Sequence, residues 1–125
     1  MPDELPAEVR DLIARNLASM EHVDALLVLH RAPDRRWTSD DLAAELHANP
    51  PSVTRTLRDL TSSGLVAEAG DGFHFAPATP ALRRATELLL EAYNARPVTL
   101  VRAIYDRPPS AVKSFADAFR IKPEP

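Results

Sequence analysis

Apolar residues recur three and four residues apart over much of this chain, the spacing that places side chains on one face of an α-helix. Residues 6–17 have this spacing, which predicts a first amphipathic helix. Residues 20–31 are apolar over a wider stripe, so the second predicted helix is covered from several sides. The pattern therefore predicts a mainly helical protein.

Two short predicted helices follow, joined by a three-residue link. Thr38 can cap the first of them and Asn49 the second, because their side-chain oxygens accept the free N–H groups of a first turn. Pro50 suits the first helical position, where its missing N–H costs nothing. Gly64 can adopt the left-handed conformation that ends a helix, so the second of these helices is predicted over residues 50–63. Its inward positions are Val53, Leu57 and Leu60.

Two strand-like runs at residues 65–68 and 73–75 flank a turn with two glycines, which predicts a β-hairpin. In this order of elements the chain resembles the winged helix-turn-helix superfamily, especially small bacterial regulators of the multiple-antibiotic-resistance (MarR) type. The residues that carry the resemblance are Leu42, Ala43, Leu46, Val53, Arg55, Leu57, Leu60, Gly64, Leu65 and Val66. They span about a third of the chain.

The resemblance implies that the helix at residues 50–63 reads DNA and that the hairpin is the wing. It also implies a short third strand beside the wing, which places Trp37 against Phe73 or Phe75 rather than against a ligand. In the C-terminal third, four aromatic side chains either line a small-molecule pocket, as the resemblance allows, or serve in core or dimer packing; they are Tyr93, Tyr105, Phe115 and Phe119.

The region after the hairpin is predicted to be helical with a break. Thr79 can cap a helix there, and Pro97 interrupts it, because an interior proline loses a hydrogen bond and clashes with the previous turn. We expect two helices or one kinked helix, with the break at residues 94–97. After two consecutive prolines, Ser110 can cap a short helix over residues 110–119.

The predicted fold is mainly α with a small β-wing, an α+β winged helix-turn-helix with extra N- and C-terminal helices. A chain of 125 residues is long enough to bury a core without metal or disulfides. We expect one domain over residues 1–125, with the winged core at 20–78, flanking helices at 1–19 and 79–119, and a tail at 120–125.

Composition argues against several classes of chemistry. The chain has no cysteine and its four histidines lack a metal-ligand spacing, so no metal is expected. It also lacks a glycine-rich phosphate loop and a nucleophile elbow, so we expect no cofactor and no enzymatic activity. The N-terminus is acidic where a signal peptide needs basic residues, and no segment has the length of a membrane span. A soluble, cytoplasmic protein of bacterial type is expected.

Charge modifies the DNA-binding prediction. The net charge of −3 argues against indiscriminate binding to polyanions, and residues 30–75 hold five basic and seven acidic groups. Wings of DNA-binding relatives usually carry arginine or lysine, but no basic residue lies between Asp59 and Leu82. His74 replaces such a residue in part only when it is protonated. The wing contact with DNA is therefore expected to be weak or absent.

The candidate base-reading residues are Arg55 and Arg58, one turn apart on the outward face of the recognition helix. An arginine can bond both acceptors on a guanine edge. The alternative is that both are solvated helix charges, paired with Asp59 or Glu45. The full set of expected DNA contacts is Arg35, Arg36, Thr38, Ser39, Pro51, Ser52, Thr54, Arg55, Arg58 and His74.

The preferred function is a sequence-specific transcriptional regulator that binds a pseudo-palindromic DNA duplex as a homodimer. Few phosphate contacts imply weak binding by one subunit, and one small domain is not expected to bury all the apolar faces of the flanking helices. The expected dimer residues are Leu12, Ile13, Leu89, Tyr93, Leu100 and Ile104. The alternative is a winged-helix module that binds a protein and no specific DNA, which suits the acidic balance and the wing without basic residues.

Overall fold

The computed structural model describes residues 5–106 and arranges them as helices around a small antiparallel sheet. In chain order the elements are α1 (Ala7–Asn16), α2 (Met20–Arg31), α3 (Ser39–Leu46), α4 (Pro50–Ser62), β1 (Val66–Ala69), β2 (Gly72–Phe75), α5 (Pro80–Ala95) and α6 (Pro97–Tyr105). The predicted α+β composition, mainly helical, is confirmed. Every helix in residues 5–106 is too short or too polar to cross a membrane. The predicted helix at 110–119 and the tail at 120–125 lie outside the described residues.

Side-chain caps confirm the predicted starts of α2, α3, α4 and α5. In each case the cap oxygen accepts the backbone N–H of the residue three positions further on, which satisfies a donor that a first turn leaves unpaired. The pairs are Ser19 with His22 at 3.3 Å, Thr38 with Asp41 at 3.0 Å, Asn49 with Ser52 at 3.3 Å and Thr79 with Leu82 at 3.1 Å. These bonds fix the residue at which each helix begins.

Left-handed residues follow both α3 and α4. Gly64 has φ of +80°, as its place in the sequence predicts. His47 has φ of 54° at the C-terminus of α3, a conformation that costs a residue with a Cβ more than it costs glycine. Its backbone N–H bonds back to carbonyl groups of α3, which ends the helix at Leu46 and turns the chain toward α4.

The hairpin is completed by Trp37. β1 and β2 are antiparallel, with Ala69 opposite Gly72. Trp37 and Phe73 exchange backbone hydrogen bonds of 2.8 Å in both directions, so the expected third strand is present as one bridge. A Cβ on Gly72 would lie 2.8 Å from the Trp37 carbonyl oxygen, which is why glycine is required there. The indole is buried, which confirms that Trp37 packs within the protein.

One cluster of buried side chains draws on every helix and both strands of the described residues, from Leu5 to Ile104. α4 contributes Val53, Leu57 and Leu60, and each of them is 0% exposed. This confirms the predicted inward face of α4. The opposite face of that helix therefore points away from the core.

The predicted dimer face is the main correction to the fold. Most of its side chains are buried within the chain itself: Leu12 and Ile13 are each 3% exposed, Leu89 and Leu100 0%, and Ile104 4%. The reason is that the helical run is interrupted between Ala95 and Pro97, which separates α5 from α6. α1 packs against both of these helices, so the three helices cover one another's apolar faces. Of the six expected interface residues, Tyr93 is exposed, at 38%.

Candidate nucleic-acid interface

Four exposed side chains form a narrow row along α4, which we call the α4 stripe. It consists of Pro51, Arg55, Arg58 and Ser62, all exposed and spaced four, three and four residues apart. Residues at these intervals lie above one another on a helix surface. α4 has 13 residues and is about 20 Å long, and a bare helix fits the major groove of B-form DNA.

The two arginines of the α4 stripe have no ion pair or side-chain hydrogen bond within residues 5–106. The two carboxylates proposed as their partners are engaged elsewhere. Asp59 lies against a histidine of α2, and Glu45 lies 3.6 Å from an arginine at the end of α2. The alternative pairing of Arg55 and Arg58 with these acids is therefore not observed, and both guanidinium groups face solvent, as both a DNA-reading role and a pair of solvated helix charges require.

Glu21, in the first turn of α2, occupies one flank of α4. Its carboxylate accepts from the Ser52 hydroxyl, at 3.0 and 3.1 Å to its two oxygens, and from the Thr56 hydroxyl at 2.7 Å. Ser52 was expected among the outward-facing DNA contacts, but its hydroxyl is bonded to Glu21 instead. A turn of about 100° per residue places positions 52 and 56 on the flank that faces α2, and Glu21 meets them there.

His22 joins the same two helices one residue further along. Its Nε2 lies 2.8 Å from Oδ2 of Asp59, and its Nδ1 lies 2.8 Å from Oγ of Ser19. Nε2 donates to Asp59, because a carboxylate only accepts. Serine, histidine and aspartate also form the hydrolytic triad, but in a triad Nε2 faces the serine and Nδ1 faces the aspartate, the reverse of the arrangement here. The serine is also the N-cap of α2, so the arrangement holds α2 against α4.

The N-terminus of α3 meets α4 through two hydroxyl groups. Thr54 Oγ1 lies 3.0 Å from Ser39 Oγ and 3.0 Å from the Pro50 carbonyl oxygen. Thr38, the neighbouring cap residue, is exposed. The structure thus brings together three of the predicted contact residues, Thr38, Ser39 and Thr54, at the start of the two helices.

The basic pair before α3 lies beside the hairpin, because the following residue, Trp37, is bridged to β2. The guanidinium carbon of Arg35 lies 3.6 Å from the centroid of the Trp37 ring, a cation–π contact that leaves its N–H groups free to donate. Arg36 is exposed. Both arginines are therefore presented to solvent at the hairpin side of α3.

The hairpin itself presents carboxylates. Glu68 and Asp71 are exposed, and the strands carry no lysine or arginine. His74 lies on β2 opposite Ala67 and is half-buried. Its Nδ1 is enclosed and has no hydrogen-bond partner among the described residues. His74 was expected to contact DNA, but its Nδ1 atom is therefore not accessible for such a contact.

Sequence reasoning did not assign a role to Glu21, His22 or Thr56. The sequence shows the polar positions 52, 56 and 59 along one flank of α4, but it does not show which residues they contact. The contacts join residues 31 to 37 positions apart, and local spacing carries no information about such pairs. Arg55, Arg58 and Pro51 lie where the sequence predicts, whereas Ser52 does not.

The described geometry gives one candidate interface, with the α4 stripe at its centre and the α3 start and the basic pair of residues 35–36 as further elements. Carboxylates border it at the α2 flank and on the hairpin. Comparisons with protein-family models, with curated proteins and with solved structures gave no match to this chain.

Proposed function

We propose that the protein is a winged helix-turn-helix regulator of transcription, with α4 as its recognition helix. The observation that carries the proposal is the α4 stripe, in which Arg55 and Arg58 are exposed one turn apart and unpaired within residues 5–106. An arginine donates two parallel hydrogen bonds to O6 and N7 of guanine in the major groove. Two such side chains on one fixed helix read two positions in a defined register.

Attachment of α4 on three sides supports this role. Its apolar face is buried, its α2 flank is bonded to Glu21 and His22, and its first turns contact Ser39 on α3. A reading helix that must be ordered on binding loses affinity, so a helix whose position is fixed in advance is the better reader. The order α3, link, α4 and hairpin, with Trp37 bridged to the hairpin, is the order of a winged helix.

Phosphate contacts are assigned to Arg36, Arg35 and Thr38 at the start of α3. For each phosphate that a cationic side chain neutralises, the logarithm of the affinity falls by about 0.9 when the salt concentration rises tenfold. With two such arginines and an acidic hairpin, the proposed complex has a shallow salt dependence. Most of its binding energy then comes from base contacts rather than from the DNA backbone.

The proposal includes a homodimer, since one subunit with few phosphate contacts binds weakly. Two recognition helices related by a two-fold axis read half-sites about 34 Å apart, one turn of DNA. The exposed large apolar side chains of residues 5–106 are Tyr93, Val98 and Tyr105, and two of them lie on α6. We assign the contact between copies to this α6 surface, in place of the buried residues expected from the sequence.

A second candidate function is a winged-helix module that binds a protein partner. The observation that favours it is the exposed pair of carboxylates on the hairpin, Glu68 and Asp71, where a DNA-binding wing needs cations. Phosphate repels such a hairpin, whereas a basic protein surface attracts it.

Selection from random-sequence duplexes distinguishes the two functions. Purified protein is incubated with the pool at low and at moderate salt, and the bound DNA is sequenced through successive rounds. The proposal predicts an enriched pseudo-palindrome containing guanine in each half-site, lost in Arg55→Ala and retained in Arg15→Ala. Arg15 is the matched control, an exposed arginine on α1 that lies outside both the DNA contacts and the dimer contact proposed above. A pool that stays random through all rounds overturns the DNA-binding proposal and favours the protein-binding module.

A further inference from the structure

A cleft of mixed polarity lies between α2, α3 and α5, away from the α4 stripe. Its apolar walls come from Leu27 on α2, Leu46 on α3 and Leu90 on α5, and its polar end is formed by Asp24 and Tyr93. A concave site with apolar walls and a few convergent polar groups is the usual form of a small-molecule site.

Two carboxylates line the cleft, those of Asp24 and Glu45, and Asp24 is the one without a counter-ion among the described residues. No lysine, arginine or histidine nitrogen lies within ion-pair distance of its carboxylate in the described residues. Its one side-chain hydrogen bond there comes from the Tyr93 hydroxyl, at 3.3 Å to Oδ1. Partial burial, together with the nearby Glu21 carboxylate, raises the pKa of Asp24 above its usual value of 3.8. The negative charge at this position is therefore poorly compensated by the protein.

The remaining charges of the cleft do not supply the missing cation. Arg31, at the far end, is paired with Glu45 at 3.6 Å. His30 contacts the Phe75 ring edge to face, with 5.0 Å between ring centroids. Tyr93 carries no positive charge in any protonation state, and its pKa is raised chiefly by the Asp24 carboxylate. The cleft thus has an uncompensated carboxylate at one end, apolar walls along its sides and the Arg31–Glu45 ion pair at its other end.

We propose that this cleft binds an organic amine, with the ammonium group on Asp24 and an apolar body along Leu27, Leu46 and Leu90. The ammonium donates a charge-assisted hydrogen bond to the carboxylate, a bond stronger than one between neutral groups. The Tyr93 side chain, exposed beside Asp24, offers its ring face as a second contact for the cation. The apolar walls require a hydrocarbon body and disfavour a hydrated inorganic ion.

This inference rests on the cleft alone and is independent of DNA binding. The test is a titration of the full chain with phenethylamine and with phenethyl alcohol, a neutral compound of nearly the same shape. Amide chemical shifts in NMR spectra report both affinity and location. We expect the amine to bind about tenfold more tightly than the alcohol, with shifts at α2, α3 and α5.

Variants separate the carboxylate from the apolar walls. Asp24→Asn keeps the shape and the hydrogen bond from Tyr93, and it is expected to weaken amine binding about tenfold and leave the alcohol unchanged. Glu87→Gln, which removes an exposed carboxylate from α5, is the matched control and is expected to change neither. Equal affinity for amine and alcohol, undiminished amine binding by Asp24→Asn, shifts outside the cleft, or an absence of amine binding would each overturn the proposal.

Discussion

The carboxylate of Glu21 on α2 accepts a 2.7 Å hydrogen bond from the hydroxyl of Thr56 on α4, a side chain that is 3% exposed. This buried bond belongs to a polar contact between the first turn of α2 and the flank of α4. A buried hydroxyl without a partner costs free energy, so a shift of α4 that separates Thr56 from Glu21 is unfavourable. The contact therefore fixes the position of α4 against α2.

Removal of Glu21 is expected to destabilise the fold. Glu21→Ala leaves Thr56 without its partner and deprives Ser52 of one, so we predict a loss of about 1 to 3 kcal/mol in the free energy of unfolding. Glu45→Ala is the control, because its ion pair with Arg31 is exposed and worth about 0 to 1 kcal/mol. Urea denaturation measures both; similar small losses in the two variants contradict the role given to Glu21.

The apolar face of α4 gives a second stability prediction. Leu57 is 0% exposed, and truncation to alanine removes buried methyl groups and leaves a cavity. We expect Leu57→Ala to lower the free energy of unfolding by about 2 to 5 kcal/mol. Ser62→Ala, on the α4 stripe, is expected to change it by less than about 0.5 kcal/mol. A Leu57→Ala variant with the wild-type melting temperature contradicts the observed helix phase.

The elements of this fold were largely readable from local signals. Caps at Thr38, Asn49 and Thr79 and the glycine at position 64 depend on atoms a few residues apart, so their spacing predicts them directly. Trp37 was also placed correctly, through the resemblance to winged helices rather than through periodicity. Left-handed His47 was not foreseen, because histidine carries no strong signal for that conformation.

Burial and long-range polar contacts were less predictable. An apolar stripe on a helix predicts that this face is buried, but it does not identify the element or subunit that covers it. The sequence predicts that a second subunit covers Leu89 and Leu100, whereas α1, α5 and α6 of the same chain cover them. Likewise the outward positions of α4 divide into the α4 stripe and the α2 flank, and only the position of α2 decides that Ser52 belongs to the flank.

The Asp24 carboxylate predicts a pH-dependent stability difference. Because its pKa is raised in the folded protein, the folded state binds the proton more tightly than the unfolded chain, and Asp24 costs stability as pH rises through the folded value. Tyr93 stays protonated at neutral and acidic pH, since its pKa is raised from 10.0. Asp24→Asn is thus expected to be more stable than wild type near neutral pH, with the difference lost below the unfolded pKa of Asp24.

Thermal unfolding at several pH values measures this difference, with Glu87→Gln as the exposed control. We expect a gain below about 1 kcal/mol, because solvent still screens a half-buried carboxylate. A variant that is less stable than wild type at neutral pH contradicts the assignment of Asp24 as an uncompensated charge.

Assembly through α6 is tested by adding charge to its exposed apolar side chains. Val98 is 67% exposed and Tyr105 78%, so Val98→Glu with Tyr105→Glu is expected to leave the fold intact and to convert a dimer into a monomer in sedimentation experiments. Ala81→Glu, at an exposed position on α5, is the control and is expected to remain a dimer. Leu89→Glu is unsuitable as a test because its side chain is in the core. A wild-type monomer at micromolar concentration contradicts the proposed homodimer.

The α4 stripe gives the last prediction, which concerns specificity rather than assembly. Arg55→Ala and Arg58→Ala are each expected to weaken binding to the selected duplex by about 1 to 3 kcal/mol and to relax base preference at one position, since each removes a pair of donors to a guanine edge. Both side chains are exposed and unpaired within residues 5–106, so melting temperatures stay near the wild-type value. Arg36→Ala, by contrast, removes a proposed phosphate contact and is expected to weaken binding to all sequences alike and to reduce the steepness of the salt dependence by about one unit of slope. Fluorescence anisotropy titrations over a range of salt measure both effects. An Arg55→Ala, Arg58→Ala double variant with wild-type affinity and preference removes α4 as the reading helix, and a uniform loss across all sequences reassigns the two arginines to the phosphates.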